Sequence, residues 1–407
     1  MKYISIFFLV FLGCRSVPEK ERSLHTELFE VEIPCRYGGE PNLFISESGV
    51  PYISWVEYLT DSTDALAFSK MENGKWSAPL EIARGNDWFV NWADFPSLVL
   101  NGDWIAAHWL QKSAEGTYDY DVHISQSIDD GKTWQPSFIP HRDSVAAEHG
   151  FVTMFPISKD RMFAVWLDGR NTKTEQQAVD GHGHGGGAMT LRTAEFDQAG
   201  NLFEEAELDS RICDCCQTDA AMTSNGPVVV FRDRSEHEIR DISIVRKVDG
   251  EWTLPHLVHA DNWEISGCPV NGPAVIADGD RLIVAWFTSA NGEPMVKVAF
   301  STNAGATFSA PLRVDDGYPL GRVDVEIFDN QNAMVTWLEK SDEEAAIKAV
   351  IVGQNGKEGE SFTLVKTSPA RNSGFPILAK NKDQFLLAWT NVNGDSTSVN
   401  TAFFKIQ

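Results

Sequence analysis

Cysteine is the first residue type in this chain whose spacing could do chemistry. Cys213-Asp214-Cys215-Cys216 puts three thiols within four positions, and Cys268 follows alone. Such a group either closes disulfides with a neighbouring segment or gathers thiolates around a soft metal. Its C-x-C-C spacing matches no standard zinc pattern. His149, or His182 and His184 in a glycine-rich run, could add nitrogen ligands. Arginine is the second type. Arg36, Arg170, Arg211, Arg232, Arg234, Arg240, Arg322 and Arg371 stand in a chain with 34 basic and 58 acidic side chains, a net charge of −24. Gathered on one surface they would hold an anion, because the planar fork grips a carboxylate bidentately. The plainer use is ion pairing with Asp168, Asp233, Asp241, Asp324 or Glu236. The third type is the carboxylate. Cutting a glycosidic bond needs one carboxylic acid to protonate the leaving oxygen and a partner opposite, and Asp168, Asp214, Asp324 and Glu326 are available. Trp88, Trp92 and Trp263 could stack on sugar rings or pack as a buried lid.

The elements that must position these groups repeat. An apolar strand with an aromatic near its end recurs at Trp55, Trp109, Trp166, Phe231, Trp286, Trp337 and Trp389, at intervals of 51 to 65 residues. A short strand precedes each one, an alternating strand follows, and a glycine-containing turn leads into a fourth. No stretch has sustained helical periodicity. Four short strands per unit predict an all-β fold, a β-propeller of seven four-stranded antiparallel blades, with six blades as the alternative. The last unit stops after its third strand, and the segment LFEVEIP at 28–34 supplies the missing fourth, closing the ring.

Propeller geometry sorts the reactive residues. Connections between strands 2 and 3, and between blades, lie on one face around the channel mouth. That set carries Arg36, Trp88, Trp92, Asp168, Arg170, the Cys213–Cys216 run, Arg232, Arg234, Trp263, Cys268, Tyr318, Arg322 and Arg371. Loops that vary on a rigid repeat are where function concentrates.

The opposite face carries two related turns. Ser127-Ile128-Asp129-Asp130-Gly131-Lys132-Thr133-Trp134 and Ser301-Thr302-Asn303-Ala304-Gly305-Ala306-Thr307-Phe308 both fit S-x-[D/N]-x-G-x-T-[W/F]. The acid or amide can hold turn amides, Gly takes positive φ, and the aromatic packs between sheets. These turns resemble Asp-boxes, and with the propeller they make the chain similar to the sialidase-like superfamily over nearly its whole length. The resemblance implies structural boxes and an exo-sialidase-like glycosidase with a tyrosine nucleophile, an aspartate acid/base and an arginine cluster. Tyr318, Asp168 and Glu326 are the catalytic candidates for that set, with Tyr37 as the other tyrosine, and none of them sits in a motif that assigns it. Arg36, Arg170, Arg232, Arg234, Arg322 and Arg371 are the candidates for that cluster, and Trp263, by its place on an inter-blade loop, joins them as a ligand-binding candidate. Two departures stand against it: sialidases usually have six blades, and their Arg-Ile-Pro motif is absent, the nearest arginine being Arg36.

The start of the chain speaks to location. Lys2, the apolar run Ile4–Leu12 and Gly13-Cys14 resemble a bacterial lipoprotein signal, which implies lipidation of Cys14 and anchoring in the cell envelope. The run is too short to span a bilayer. Residues 1–13 then form the signal, 14–26 a polar tether and 27–407 one propeller domain. In an exported chain the cysteines favour disulfides over metal, and no other cofactor is expected. The acidity disfavours nucleic acid. Apolar content of 43% excludes disorder. The expected protein is a monomer with an acidic-sugar glycan as ligand, and a non-catalytic glycan- or protein-binding propeller is the alternative.

Overall fold

The second strand of each repeat is apolar on both faces, which suits a sheet covered on both sides. In the structure, a computed structural model that describes residues 26–173, 187–341 and 343–406, those strands lie inside seven sheets stacked around an axis. Blade 1 comprises Gly38–Ile45, Pro51–Thr60, Thr63–Glu72 and Leu80–Gly85. Blade 2 comprises Ser97–Asn101, Trp104–Lys112 and Tyr120–Ser127, its outer edge reduced to a bridge between Ile124 and Phe138. Blade 3 comprises His149–Ser158, Arg161–Asp168, Met189–Phe196 and Leu202–Ile212. Blade 4 comprises Asp219–Thr223, Gly226–Arg232, Ile242–Val248 and His256–Leu257. Blade 5 comprises Ala274–Asp278, Arg281–Thr288, Met295–Ser301 and Leu312–Arg313. Blade 6 comprises Pro319–Ile327, Asn332–Ser341, Glu344–Gly353 and Phe362–Thr367.

Blade 7 joins the two ends of the chain. Ile377–Asn381, Gln384–Asn393 and Ser396–Ile406 take Thr26–Val31 as their outermost strand, from Glu27 opposite Lys405 to Val31 opposite Thr401. The seven-bladed ring and its N-terminal closure are as the repeat predicts, with the closing strand slightly earlier than 28–34. A buried hydrogen bond locks the seam: the Trp76 indole of blade 1 donates to Thr401 Oγ1 at 2.9 Å, and that hydroxyl donates to the Val31 carbonyl at 2.7 Å.

Tryptophans fill the space between blades. Trp55, Trp286 and Trp337 are fully buried, so each indole N–H needs a partner. In four blades that partner sits two residues on, on the same side of the strand: Trp55 with Glu57, Trp109 with Gln111, Trp166 with Asp168 and Trp337 with Glu339.

The two related turns are closed by their own side chains. Asp129 accepts from the Thr133 amide and hydroxyl, and Ser127 Oγ accepts from the Gly131 amide. Asn303 and Ser301 repeat these bonds toward Thr307 and Gly305. Trp134 meets Phe68 edge-on, and Phe308 packs on the core between blades 4 and 5.

Candidate functional site

The innermost strands of all seven blades enclose a cavity of 260 Å³ on the axis. Parallel neighbours at this radius cannot form a ladder, so side chains bridge them. Asn42 accepts from the Leu98 amide, Asp94 from Phe151, Asp219 from Val275 and Asp324 from Leu378, each reaching into the following blade. Desolvation raises Asp94, Asp219 and Asp324 to about 7. Glu326 lies two residues beyond Asp324, toward the face opposite the mouth. It accepts from the Lys380 amide, and burial followed by the charge of Asp324 pushes it up to about 8.

Three innermost strands open with a bulge that holds a side chain at the mouth. Glu40, Phe151 and Arg322 have φ of 52°, 52° and 54°, each inside a break in strand register. Glu40 accepts from the Tyr58 hydroxyl at 2.7 Å, and desolvation lifts it to about 7.

The structure brings most sequence-predicted residues to the mouth and gives them different work. A belt of hydrogen bonds runs around that face. Cys213 N–H donates to the Arg232 carbonyl. The buried Arg232 guanidinium donates to the carbonyls of Asn271, Arg240 and Phe287. Asn271 Oδ1 accepts from the Arg322 amide, and Arg322 reaches Ser373 Oγ and the carbonyls of Gly374 and Ala370. Arg170 grips Asp168 bidentately and touches Asp143, while Arg234 pairs with Glu238 and Asp214. Arg36 is exposed over Tyr37.

Several expectations are corrected by this placement. Trp263 is buried against Phe287 beneath Arg232, a packed lid rather than an open sugar platform. Asp168 is wholly buried, in the position where other blades hold the indole N–H. Tyr318 is 73% exposed in the connection into blade 6, three blades from Asp168, so Tyr318, Asp168 and Glu326 share no site. All five described cysteines are free thiols, against the disulfides that the sequence favoured. Cys213 Sγ lies 3.5 Å from Cys216 Sγ and 3.9 Å from Cys215 Sγ, and Cys268 reaches Cys215 from the next inter-blade loop. Burial opposes ionisation of Cys213, but the neighbouring thiols, Arg240 and Arg232 hold it well below an ordinary thiol. Cys14, His182 and His184 lie outside the described residues.

Two constellations at the mouth went unnamed in the sequence. In the first, the buried Tyr120 hydroxyl is 2.9 Å from both Asp94 Oδ2 and Glu148 Oε1. Two such bonds require two protons among three acids, so one carboxyl is protonated while the phenol is intact. Burial also pushes Glu148 well above the ordinary carboxyl range, and Asp94 lines the cavity. In the second, His141 and His149 stack at 3.7 Å between Asp121 and Asp143. Burial would lower His149, but hydrogen bonds to Asp121 and Asp143 and the charge of Asp168 outweigh it and raise it to about 9. Arg170 already fills the cationic place between Asp143 and Asp168.

Arg322 differs from the other mouth arginines. Among the described residues no carboxylate pairs with it, and burial and then the charge of Arg371 pull it down to about 10. Its guanidinium lies 4.9 Å from the Trp92 ring and 6.0 Å from Phe375, and Phe375 lines the cavity.

No protein-family model matches the chain, and no curated protein is detectably similar to it. Solved structures are. The chain is similar to a protein of unknown function from Dyadobacter fermentans DSM 18053, with 13% identity, a TM-score of 0.53 and coverage of 94% of this chain and 99% of that one. It is also similar to the polysaccharide lyase Uly1, with 10% identity, a TM-score of 0.53 and coverage of 92% and 90%. At these identities the likeness is one of fold, and the sialidase-like expectation narrows to the propeller.

Proposed function

We propose that this propeller is a glycoside hydrolase of the cell envelope that cuts a glycan at an acidic sugar bound over the channel mouth. The observation that carries the reading is the pair Arg322 and Arg371, near enough in a strongly acidic protein for the charge of Arg371 to act on Arg322, which is buried with no described carboxylate partner. A carboxylate of the sugar completes that pair with charge-assisted hydrogen bonds, and Trp92 and Phe375 give the ring an apolar seat. Protons come from the connection between blades 1 and 2, which also carries Trp92. Asp94 faces the cavity and protonates the leaving oxygen as the glycosidic bond breaks, a water forms the new bond to the anomeric carbon, and the proton that water sheds returns to Asp94 through Glu148 and the Tyr120 hydroxyl. The carboxyls with raised pKa keep that proton near neutral pH. The shared fold of Uly1, a polysaccharide lyase, supports a glycan as the ligand. The leader ending in Cys14 supports the envelope.

The test is turnover on sialylated, uronate-rich and neutral polysaccharides, read both as new reducing ends and as ultraviolet absorbance of unsaturated product. Reducing ends from acidic substrates alone are expected, and Tyr120→Phe lowers kcat about 100-fold. Unsaturated product from the acidic chains replaces hydrolysis by elimination. No product from any acidic chain rejects catalysis and leaves a binding propeller, a reading favoured by the burial of Glu148 and Tyr120.

A further inference from the structure

The thiol cluster takes no part in that chemistry, and its geometry calls for a ligand of its own. Cys213, Cys215 and Cys216 come from the connection between blades 3 and 4, and Cys268 from the connection between blades 4 and 5. The three clustered sulfurs all lie within 4.8 Å of one another, with two separations of 3.5 and 3.9 Å. Sulfurs on one tetrahedral cation with bonds of about 2.3 Å stand about 3.8 Å apart. A disulfide would pair two of these thiols and leave the third outside the bond. A shared cation uses all of them.

We propose that Cys213, Cys215 and Cys216 bind one thiophilic d10 cation as thiolates, with Cys268 closing the fourth position. Binding is ligand substitution: each thiol loses its proton to solvent as its sulfur bonds the metal, and nothing is oxidised or reduced. The charge balances within the fold. Zn(II) on four thiolates, or Cu(I) on three, leaves a charge of about −2. The buried Arg232 and Arg240 guanidiniums flank the cluster, and Arg240 already donates an N–H to Cys213 Sγ at 3.2 Å. Such N–H···S bonds orient metal-bound thiolates. Asp214, between the ligands, is tied back by Arg234 and so leaves the sulfurs to the metal. The bound cation would join two inter-blade loops on the wall of the mouth where Glu148 stands, close enough that Cys268 and Asp214 act on its charge.

The experiment uses the full chain, reduced and stripped of metal. Zn(II) is titrated against a chromophoric chelator, Cu(I) against bicinchoninate, and Co(II) is followed by its sulfur-to-metal charge-transfer band. One equivalent of Zn(II) or Cu(I) per chain is expected, with protection of the Cys213, Cys215 and Cys216 peptides from alkylation. Cys213→Ser weakens binding at least 100-fold, and Cys35→Ser leaves it unchanged because Cys35 is buried elsewhere. Cys268→Ser separates the two cations: it weakens Zn(II) about 100-fold and Cu(I) less than about 3-fold. If Cys213→Ser fails to fold by circular dichroism, Cys215→Ser, whose thiol is partly exposed, carries the comparison. Less than a tenth of an equivalent of either cation, or binding that the cluster variants do not weaken, overturns the proposal. So does a Cys213–Cys216 disulfide in protein isolated without air. Metal affinity is read without any glycan, so failure here is distinct from failure of the hydrolase reading.

Discussion

Arg232 and Arg322 are both buried at one rim and both donate to backbone carbonyls, and Arg322 in addition feels the charge of Arg371. Arg232 donates to carbonyls of two loops and of the strand Arg281–Thr288, so Arg232→Ala leaves those buried carbonyls unpaired and should lower unfolding free energy by about 3 kcal/mol in a denaturant titration. Arg371 is exposed, and Arg371→Ala should stay within about 0.5 kcal/mol of wild type. The channel aspartates make a second prediction. Folding raises Asp324 from its ordinary range to about 7, so its contribution is complete below pH 4 and drains away as pH rises to 7, by up to about 1.4 kcal/mol per unit. Asn at 324 still accepts from Leu378 and cannot ionise. The melting temperature of wild type minus that of Asp324→Asn should therefore fall from pH 5 to pH 8, and a flat difference would contradict burial of the charge. Little of this was legible in sequence, because an arginine's type says nothing of its partners. Asp168 is the exception: the recurring Trp-x-acid pairs at Trp55–Glu57, Trp166–Asp168 and Trp337–Glu339 mark it as the partner of an indole.

At the scale of the element, the turns and bulges do the positioning. Gly131 has φ of 76°, and a Cβ there would stand 2.3 Å from the Phe68 ring, so Gly131→Ala meets both backbone strain and a clash. Gly102 has φ of 61° with nothing within 4 Å, so Gly102→Ala meets strain alone. Gly131→Ala should cost about 3 kcal/mol and Gly102→Ala about 1, and equal melting temperatures would show that Phe68 yields freely. Strand order and the faces of loops could be read from the repeat, since apolar alternation and turn residues are local signals. The bulges at Glu40, Phe151 and Arg322 could not, because they depend on how seven inner strands fit one axis. Tyr120 and Glu148 were missed for the same reason. They are separated by a loop, and only the stacking of blade 3 on blade 2 brings them to one hydroxyl.

The whole molecule depends on closing the ring, since each blade buries its faces on its neighbours. Removing Thr26–Val31 uncovers the third strand of blade 7 and the Trp76–Thr401 seam, and should lower the melting midpoint by about 10 °C or more. An unchanged midpoint would mean that the N-terminal strand is ornamental. Closure also gathers residues from distant parts of the chain at one mouth, and there the central claim rests on Arg322 and Arg371 facing an acidic sugar. Its most direct test is the ratio of kcat/KM on an acidic glycan to that on its neutral analogue, in wild type and in Arg371→Ala. The account predicts a ratio that falls 10- to 100-fold in the variant, roughly one charge-assisted hydrogen bond, through a higher KM on the acidic substrate. A ratio that does not move, with the acidic glycan still cleaved, would contradict it.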